Sequence, residues 1–214
     1  INNNGYMSIS GTTYSPAGTE GVCSQFNGLD FDGNTQYVTV PHNVLLNLSE
    51  NNGNEGAIVA RIYMDDVYQD DYMRIVSKKT AWNDSTGYEL EINPAQGLIT
   101  LVGGGNSYAR GSFNASSYDN NWINIAASFT GNRARIYLEG ADITTDSTIF
   151  NIVGSPRPLV IGNISISEDS LSNNLGSYFN GKIDDVVLFN TALSASEVNQ
   201  LFYPPYLQLN SNVV

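Results

Sequence analysis

Short runs rich in Val, Ile, Tyr and Thr alternate along the chain with clusters of Gly, Asn, Asp and Ser. The runs fall at 36–40, 57–63, 73–77, 88–92, 98–102, 122–129, 134–138, 159–161 and 182–189. Segments of this length and composition, separated by turn residues at short intervals, predict an all-β fold: a two-sheet antiparallel β-sandwich. Several keep a period of two. Tyr88, Leu90 and Ile92 alternate with Glu89 and Glu91, which predicts one face on a core and the other in water. The run from Ile58 to Ile62 is apolar at both parities and predicts a central strand covered on both sides, as where two sheets stack. Asp32-Gly33, Gly103-Gly104-Gly105, Thr130-Gly131-Asn132, Glu139-Gly140 and Asn180-Gly181 accept or demand positive φ and predict turns. One helix start stands out: Ser194 can cap, Glu197 can close a capping box, and Val198, Leu201 and Phe202 follow. Pro204-Pro205 ends it, which places one short helix near the C-terminus.

At 214 residues the chain is long for one domain, but all-β sandwiches reach this length around a single core. With no repeat or linker, and no biased block beyond Asn2-Asn3-Asn4, residues 1–214 read as one domain. Such a chain buries roughly 70% of its unfolded surface, so neither disulfide nor metal is needed to hold it together. Nine Lys and Arg stand against 21 Asp and Glu, a net charge of −12. That balance argues against nucleic acid and anionic membranes, because each phosphate contact uses Lys or Arg. It suits solubility and cation binding, and equally an ordinary solvated surface. No run approaches the ~18 apolar residues of a membrane span, so membrane insertion is not expected. No charged-then-apolar signal segment opens the chain, and its start at Ile1 reads as that of a mature product or excised piece. Cys23 is the one cysteine; it excludes an intramolecular disulfide and reads as a small buried apolar residue. Low charge with abundant Asn, Ser, Thr, Gly and Tyr predicts an extracellular or cell-surface location. Sequons at Asn47, Asn83, Asn114 and Asn163 are as many as chance gives in such a composition.

Several motifs, kept in order, carry a family resemblance. They are 28–33 leading into Tyr37-Val-Thr-Val-Pro41, Ile75-Val-Ser-Lys78 followed by 87–92, the strand 122–129, Arg135-Ile-Tyr-Leu-Glu-Gly140, 159–163 and, most specific, Phe179-Asn-Gly-Lys-Ile-Asp-Asp-Val-Val-Leu-Phe-Asn-Thr-Ala-Leu-Ser194. Together, from about Gly5 to Tyr203, the chain resembles the laminin-G-like, concanavalin A-like jelly roll. The resemblance implies two stacked sheets with a concave and a convex face, used by sugar-binding modules, adhesins, pentraxins and accessory domains of polysaccharide-degrading enzymes; function varies widely on this fold. It also implies an opening strand beside the last strand of the sandwich. No such strand is expected from the residues ahead of 28–33, and an apolar-alternating tail, Tyr206-Leu-Gln-Leu-Asn210, follows the expected helix. Residues 206–214 read either as a fragment boundary or as a strand that fills this chain's or a neighbour's edge.

Glycosidases of this class hold two carboxylates in a Glu-x-Asp-x-Glu spacing; Glu89 and Glu91 share a face but lack the third acid and read as a solvated strand face. The single histidine, His42, follows Pro41 in a loop without an evident partner, and no Gly-x-Ser-x-Gly elbow is present. No enzyme is expected. Calcium suits the acidic loops, because it takes hard oxygens. Asp30 and Asp32 with Asp184 resemble the superfamily's convex-face calcium site, and Asp84 with Glu168 and Asp169 resembles the pentraxin arrangement; either set also reads as plain surface acid. The acidic stretch at Asp65, Asp66, Asp70 and Asp71 lacks EF-hand spacing and reads as a solvated loop, with Tyr68 and Tyr72 placed to line a binding edge. Sugars stack on exposed aromatic rings and hydrogen-bond to Asn, Asp and backbone. Trp82, with Asn83 and Asp84, leads the candidates because it sits in a polar loop. Trp122 heads an apolar strand and reads as core, and Tyr108 and Tyr118 read as loop aromatics that serve either role.

The expectation is therefore a non-catalytic, extracellular carbohydrate-binding or adhesion module with a glycan partner and calcium as its cofactor. The competing class is a structural subunit of a fibre or particle surface, a homo-oligomer or part of a larger protein assembled by edge-strand complementation.

Overall fold

The computed structural model describes residues 13–15, 28–48, 53–164 and 178–204. Among them, fourteen strands numbered in chain order form two antiparallel sheets. The larger runs in the order β1 (Thr13–Ser15), β3 (Tyr37–Val40), β13 (Leu159–Ile161), β5 (Met73–Ser77), β6 (Glu89–Asn93), β7 (Leu98–Val102), β8 (Tyr108–Ser112) and β12 (Thr144–Ser147). The smaller runs β11 (Ala141–Asp142), β10 (Arg133–Leu138), β9 (Trp122–Thr130), β4 (Glu55–Met64), β14 (Asn180–Phe189) and β2 (Leu29–Asp32). The fold is the expected all-β sandwich with one helix, α1 (Ala195–Phe202), near the C-terminus. Cys23, Glu168, Asp169 and the tail 206–214 lie outside the described residues.

The core forms where the inner faces meet. Ile58, Ile62, Ile123, Ile125 and Ile136 from one sheet pack with Ile75, Leu90, Ile92, Ile99 and Leu101 from the other, all fully buried. Burial of each such side chain stabilises the fold by about 1.5–3 kcal/mol. Tyr88, also inside, donates its hydroxyl to the Leu46 carbonyl at 2.8 Å, which satisfies the one polar atom it brings into the core.

Several expectations are corrected. The two-sided burial of the 57–63 run comes from α1 as well as from sheet stacking. The outward residues Ala57, Val59, Ala126 and Tyr137 form a second apolar cluster with Leu193 and Val198, so the helix covers that half of the smaller sheet. Its start is as predicted: Ser194 Oγ accepts from Glu197 N at 3.3 Å, and Glu197 Oε2 accepts from Ser194 N at 2.8 Å. Trp122 is not core. Ile123 and Ile125 point inward, so alternation turns Trp122 outward, where the Arg61 guanidinium lies 4.8 Å above its ring and Tyr63 is 5.9 Å away. Asn180-Gly181 is no turn but the start of β14. Gly181 has φ +134°, and a Cβ there would stand 2.1 Å from the Tyr63 carbonyl oxygen, so only glycine fits between the flanking strands. Glu139-Gly140 is a turn as predicted, with φ of +49° and +78°, the two positive values a type I′ hairpin needs.

The register of β2 covers β14 only from Asn180 to Ile183, while β4 follows it to Phe189. Among the described residues, 184–189 therefore carry a strand on one side only.

Candidate functional site

The largest correction concerns the face of the larger sheet turned away from the core. Glu89 and Glu91 do not lie in water: Glu89 is wholly buried and Glu91 is 5% exposed. Strand pairing explains why. The register places Arg74 beside Glu91, Glu91 beside Thr100 and Thr100 beside Arg110, so four outward residues of β5, β6, β7 and β8 form one polar row. Arg74 serves both acids, with Nε 3.6 Å from Glu89 Oε2 and Nη2 3.3 Å from Glu91 Oε2. Neither contact is aligned as a hydrogen bond, since Arg74 Nε and Glu91 Oε2 both lack a hydrogen-bond partner. Thr100 Oγ1 and Arg110 Nε are likewise buried without one.

A cleft of about 340 Å³ opens over this row, at the small end of the range for ligand sites. Tyr72, Trp82 and Tyr108 stand among its walls, with Asn106 and Ser107 alongside, while Arg74, Glu91, Thr100 and Arg110 also line it. Trp82 is 53% exposed. Tyr108 is not a loop residue but opens β8. Its hydroxyl donates to Asp146 Oδ2 at 2.9 Å, an interaction that raises the phenol above its ordinary pKa, and the Arg110 guanidinium lies 4.4 Å above its ring.

Lys79 builds the wall that carries Trp82. Wholly buried, it donates Nζ to the carbonyls of Asp84, of Thr86 at 3.1 Å and of Gly103 at 2.7 Å. One cation thus ties the 80–86 loop to the turn that leads into Tyr108. Burial pushes this ammonium below its ordinary pKa, against the opposing charges of Glu89 and Asp84. Gly87 closes the loop with φ +78°, where a Cβ would meet the Lys78 carbonyl oxygen at 2.2 Å. The neighbouring Lys78 is also wholly buried; its Nζ donates to the Arg157 carbonyl at 2.6 Å and lies 3.0 Å from His42 Nδ1. His42 therefore has a partner after all, away from the cleft.

Burial pushes the Glu91 carboxyl up to about 7; Arg74 pulls it down, Glu89 pushes it further up, and Arg110 again lowers it. Burial thus favours the neutral form of this acid more than the neighbouring cations favour its charged form.

The structure brings Trp82 and Tyr108 together, and Tyr72 with them. Asn83 sits exposed in the same loop. Asp84 is engaged within that loop, accepting from Thr80 Oγ1 at 2.8 Å and from Thr86 N at 3.1 Å; burial acts to raise its pKa, but these bonds hold it below the usual value. Tyr118 is not in the cleft and packs on Phe113 with ring centres 6.2 Å apart. Tyr68, 75% exposed, borders a separate hollow with Phe113 and Ala115. Asp30, Asp32 and Asp184 do not converge. Asp30 pairs across the strands with Lys182 and Asp32 with Asn180, which leaves Asp184 four positions along from Asp32, roughly 13 Å away. Asp32 Oδ1 already accepts from Asn34, Thr35 and Gln36 backbone N–H groups, and Asp30 lies 3.5 Å from Lys182 Nζ. This trio does not fit a shared cation, and among the described residues no three His, Cys, Asp or Glu side chains gather to hold one. Arg74, Thr100 and Arg110 went unnoticed in the sequence; the signal available was the charge of Glu89 and Glu91 at strand parity, which called for partners on neighbouring strands.

The profile of the concanavalin A-like lectin/glucanases superfamily matches residues 32–199. The chain belongs to this superfamily. No curated protein matches it. Among solved structures, the receptor-binding domain of botulinum neurotoxin C/D mosaic serotype aligns with a TM-score of 0.62 at 15% identity, over 89% of this chain and 45% of its own. A candidate carbohydrate binding protein from Bacteroides ovatus gives 0.56 at 16%, over 81% and 46%. Botulinum neurotoxin type C, whose cell entry depends on interaction with two ganglioside molecules, gives 0.54 at 19%, over 78% and 39%. The chain spans under half the length of each, and at these identities the likeness establishes the fold.

Proposed function

We propose that this chain is a non-catalytic carbohydrate-binding module of an exported protein, and that it holds its sugar in the cleft over Thr100. One observation carries this: the aromatic rings of Trp82 and Tyr108 rim a floor whose buried Thr100 Oγ1 and Arg110 Nε have no hydrogen-bond partner. A sugar has the matching surfaces, C–H faces that stack on rings and hydroxyls that bond to such atoms. Leaving a buried polar atom unsatisfied costs about 1–3 kcal/mol, which a bound hydroxyl would recover. Glu89 has no exposed surface, so it cannot flank a glycosidic bond with Glu91 as an acid pair must. The B. ovatus protein and the ganglioside-dependent toxin support the same reading by their names. A glycan array probed with the chain and with Trp82→Ala, in calcium and in EDTA, tests it. Specific binding lost in the variant is expected. Loss of binding in EDTA would move the site to Asp84, Glu168 and Asp169, and an array without any bound glycan would overturn the reading.

The stretch 184–189 of β14, which among the described residues carries a strand on one side only, supports a second reading, a structural subunit whose edge is filled by a strand such as 206–214. Removal of that tail should then dissolve an assembly seen by light scattering; an untouched assembly, or a monomer with and without the tail, would sink it.

A further inference from the structure

We infer that the sugar taken by this cleft carries an anionic substituent, a carboxylate or a sulfate, docked over Thr100 against Arg110; this rests on the carbohydrate reading above. The row Arg74–Glu91–Thr100–Arg110 crosses four adjacent strands, spaced about 4.8 Å apart, so Thr100 is the step between Glu91 and Arg110. Arg74 is already occupied by Glu89, by Glu91 and by the Tyr72 carbonyl. Arg110 is the cation with hydrogen-bond donors to spare. Among the described residues its guanidinium has the Tyr108 ring against it but no hydrogen-bond acceptor, and its Nε is buried. Asp146 stands opposite Arg110 in the strand register, but its Oδ2 accepts the Tyr108 hydroxyl. Thr100 also lines the cleft, and its hydroxyl is buried there without a hydrogen-bond partner.

Arg110 is half-buried and feels the charge of Glu91, which Arg74 also pairs; a neutral sugar could satisfy Thr100 but would give the Arg110 guanidinium no fully charged acceptor. A carboxylate or sulfate would satisfy both, with the guanidinium donating charge-assisted hydrogen bonds. The chain's net charge of −12 repels anions at long range, so selection rests on these local donors and not on the general field. Glu91 sets the condition. The charged groups facing it are Arg74 from β5, Glu89 on its own strand and Arg110 from β8, with the phenols of Tyr72 and Tyr108 also in the cleft. Its carboxyl, pushed up to about 7 by burial, repels an incoming anion when ionised and accommodates it when neutral. The neutral fraction falls about tenfold between pH ~6 and pH ~8 for such a group, and affinity for an anionic sugar should fall with it.

The test uses the intact chain on matched glycans: glucuronate-ended against glucose-ended disaccharides, and 6-sulfated against unsulfated galactosides, at both pH values. Expected are binding of the acidic member of at least one pair, about tenfold tighter at the lower pH. Loss of that preference is expected in Arg110→Gln and partial retention in Arg110→Lys. Glu91→Gln should abolish the pH dependence, while His42→Gln should leave it. Equal binding of acidic and neutral partners would overturn the inference while leaving the carbohydrate reading intact. No binding to any sugar would overturn both. The native comparison stands even if a variant fails to fold.

Discussion

Glu91→Gln should flatten the pH dependence of this protein's stability, with a sign and size that follow from the environment of the carboxyl. In the folded chain burial outweighs the attraction of Arg74 and holds Glu91 at about 7, against 4.5 for the free side chain. A raised carboxylate pKa means that the folded state keeps a proton that the unfolded chain releases. The contribution is present in full below pH ~4.5 and is lost as pH rises through about 7, where it levels off. The shift from 4.5 to about 7 is 2.5 units, and at 1.36 kcal/mol each this comes to about 3 kcal/mol. Glutamine has no proton to lose. Urea unfolding of both proteins across pH ~4.5 to ~8 should therefore show the stability of the variant, relative to the native chain, rising by about 3 kcal/mol and nearly all of it before pH ~7. Asp32, Asp84 and Glu197, held below their ordinary values by hydrogen bonds, act in the opposite direction. They act equally in both proteins and cancel in the difference. A difference that stays constant with pH would refute the reasoning, since it would mean Glu91 is not desolvated.

Three further substitutions probe other parts of the account. Trp82→Ala should weaken glycan binding by tenfold or more in calorimetry, about 1.4 kcal/mol, without lowering the melting temperature, because the side chain is half exposed. Lys79→Met leaves three loop carbonyls without their shared donor; it should cost about 3 kcal/mol and speed proteolysis within 80–86. Ser194→Ala removes the capping box and should cost about 1 kcal/mol by urea titration.

Much of the fold was legible because burial and period coincide. The runs at 73–77, 98–102 and 159–161 became β5, β7 and β13 with the same bounds, and Ser194 with Glu197 marked the helix start. The errors share a physical cause: alternation tells which residues lie together on a face but not what covers that face. Glu89 and Glu91 were rightly placed opposite Leu90, yet both are buried beside Arg74. Trp122 was rightly placed in a strand, yet its parity turns it away from the core. The cleft was half legible, since a tryptophan in a polar loop suggests a binding role. Its floor was not, because Arg74, Thr100 and Arg110 meet only through the register of three strand pairs.

The central claim, that a sugar binds over Thr100 on the outer face of the larger sheet, is tested most directly by amide chemical-shift mapping with a glycan selected on the array. Perturbations confined to the amides of Tyr72, Arg74, Trp82, Glu91, Thr100 and 106–110 are predicted. Perturbations instead clustered on Arg61, Tyr63, Trp122 and Lys182, on the opposite side of the sandwich, would contradict it.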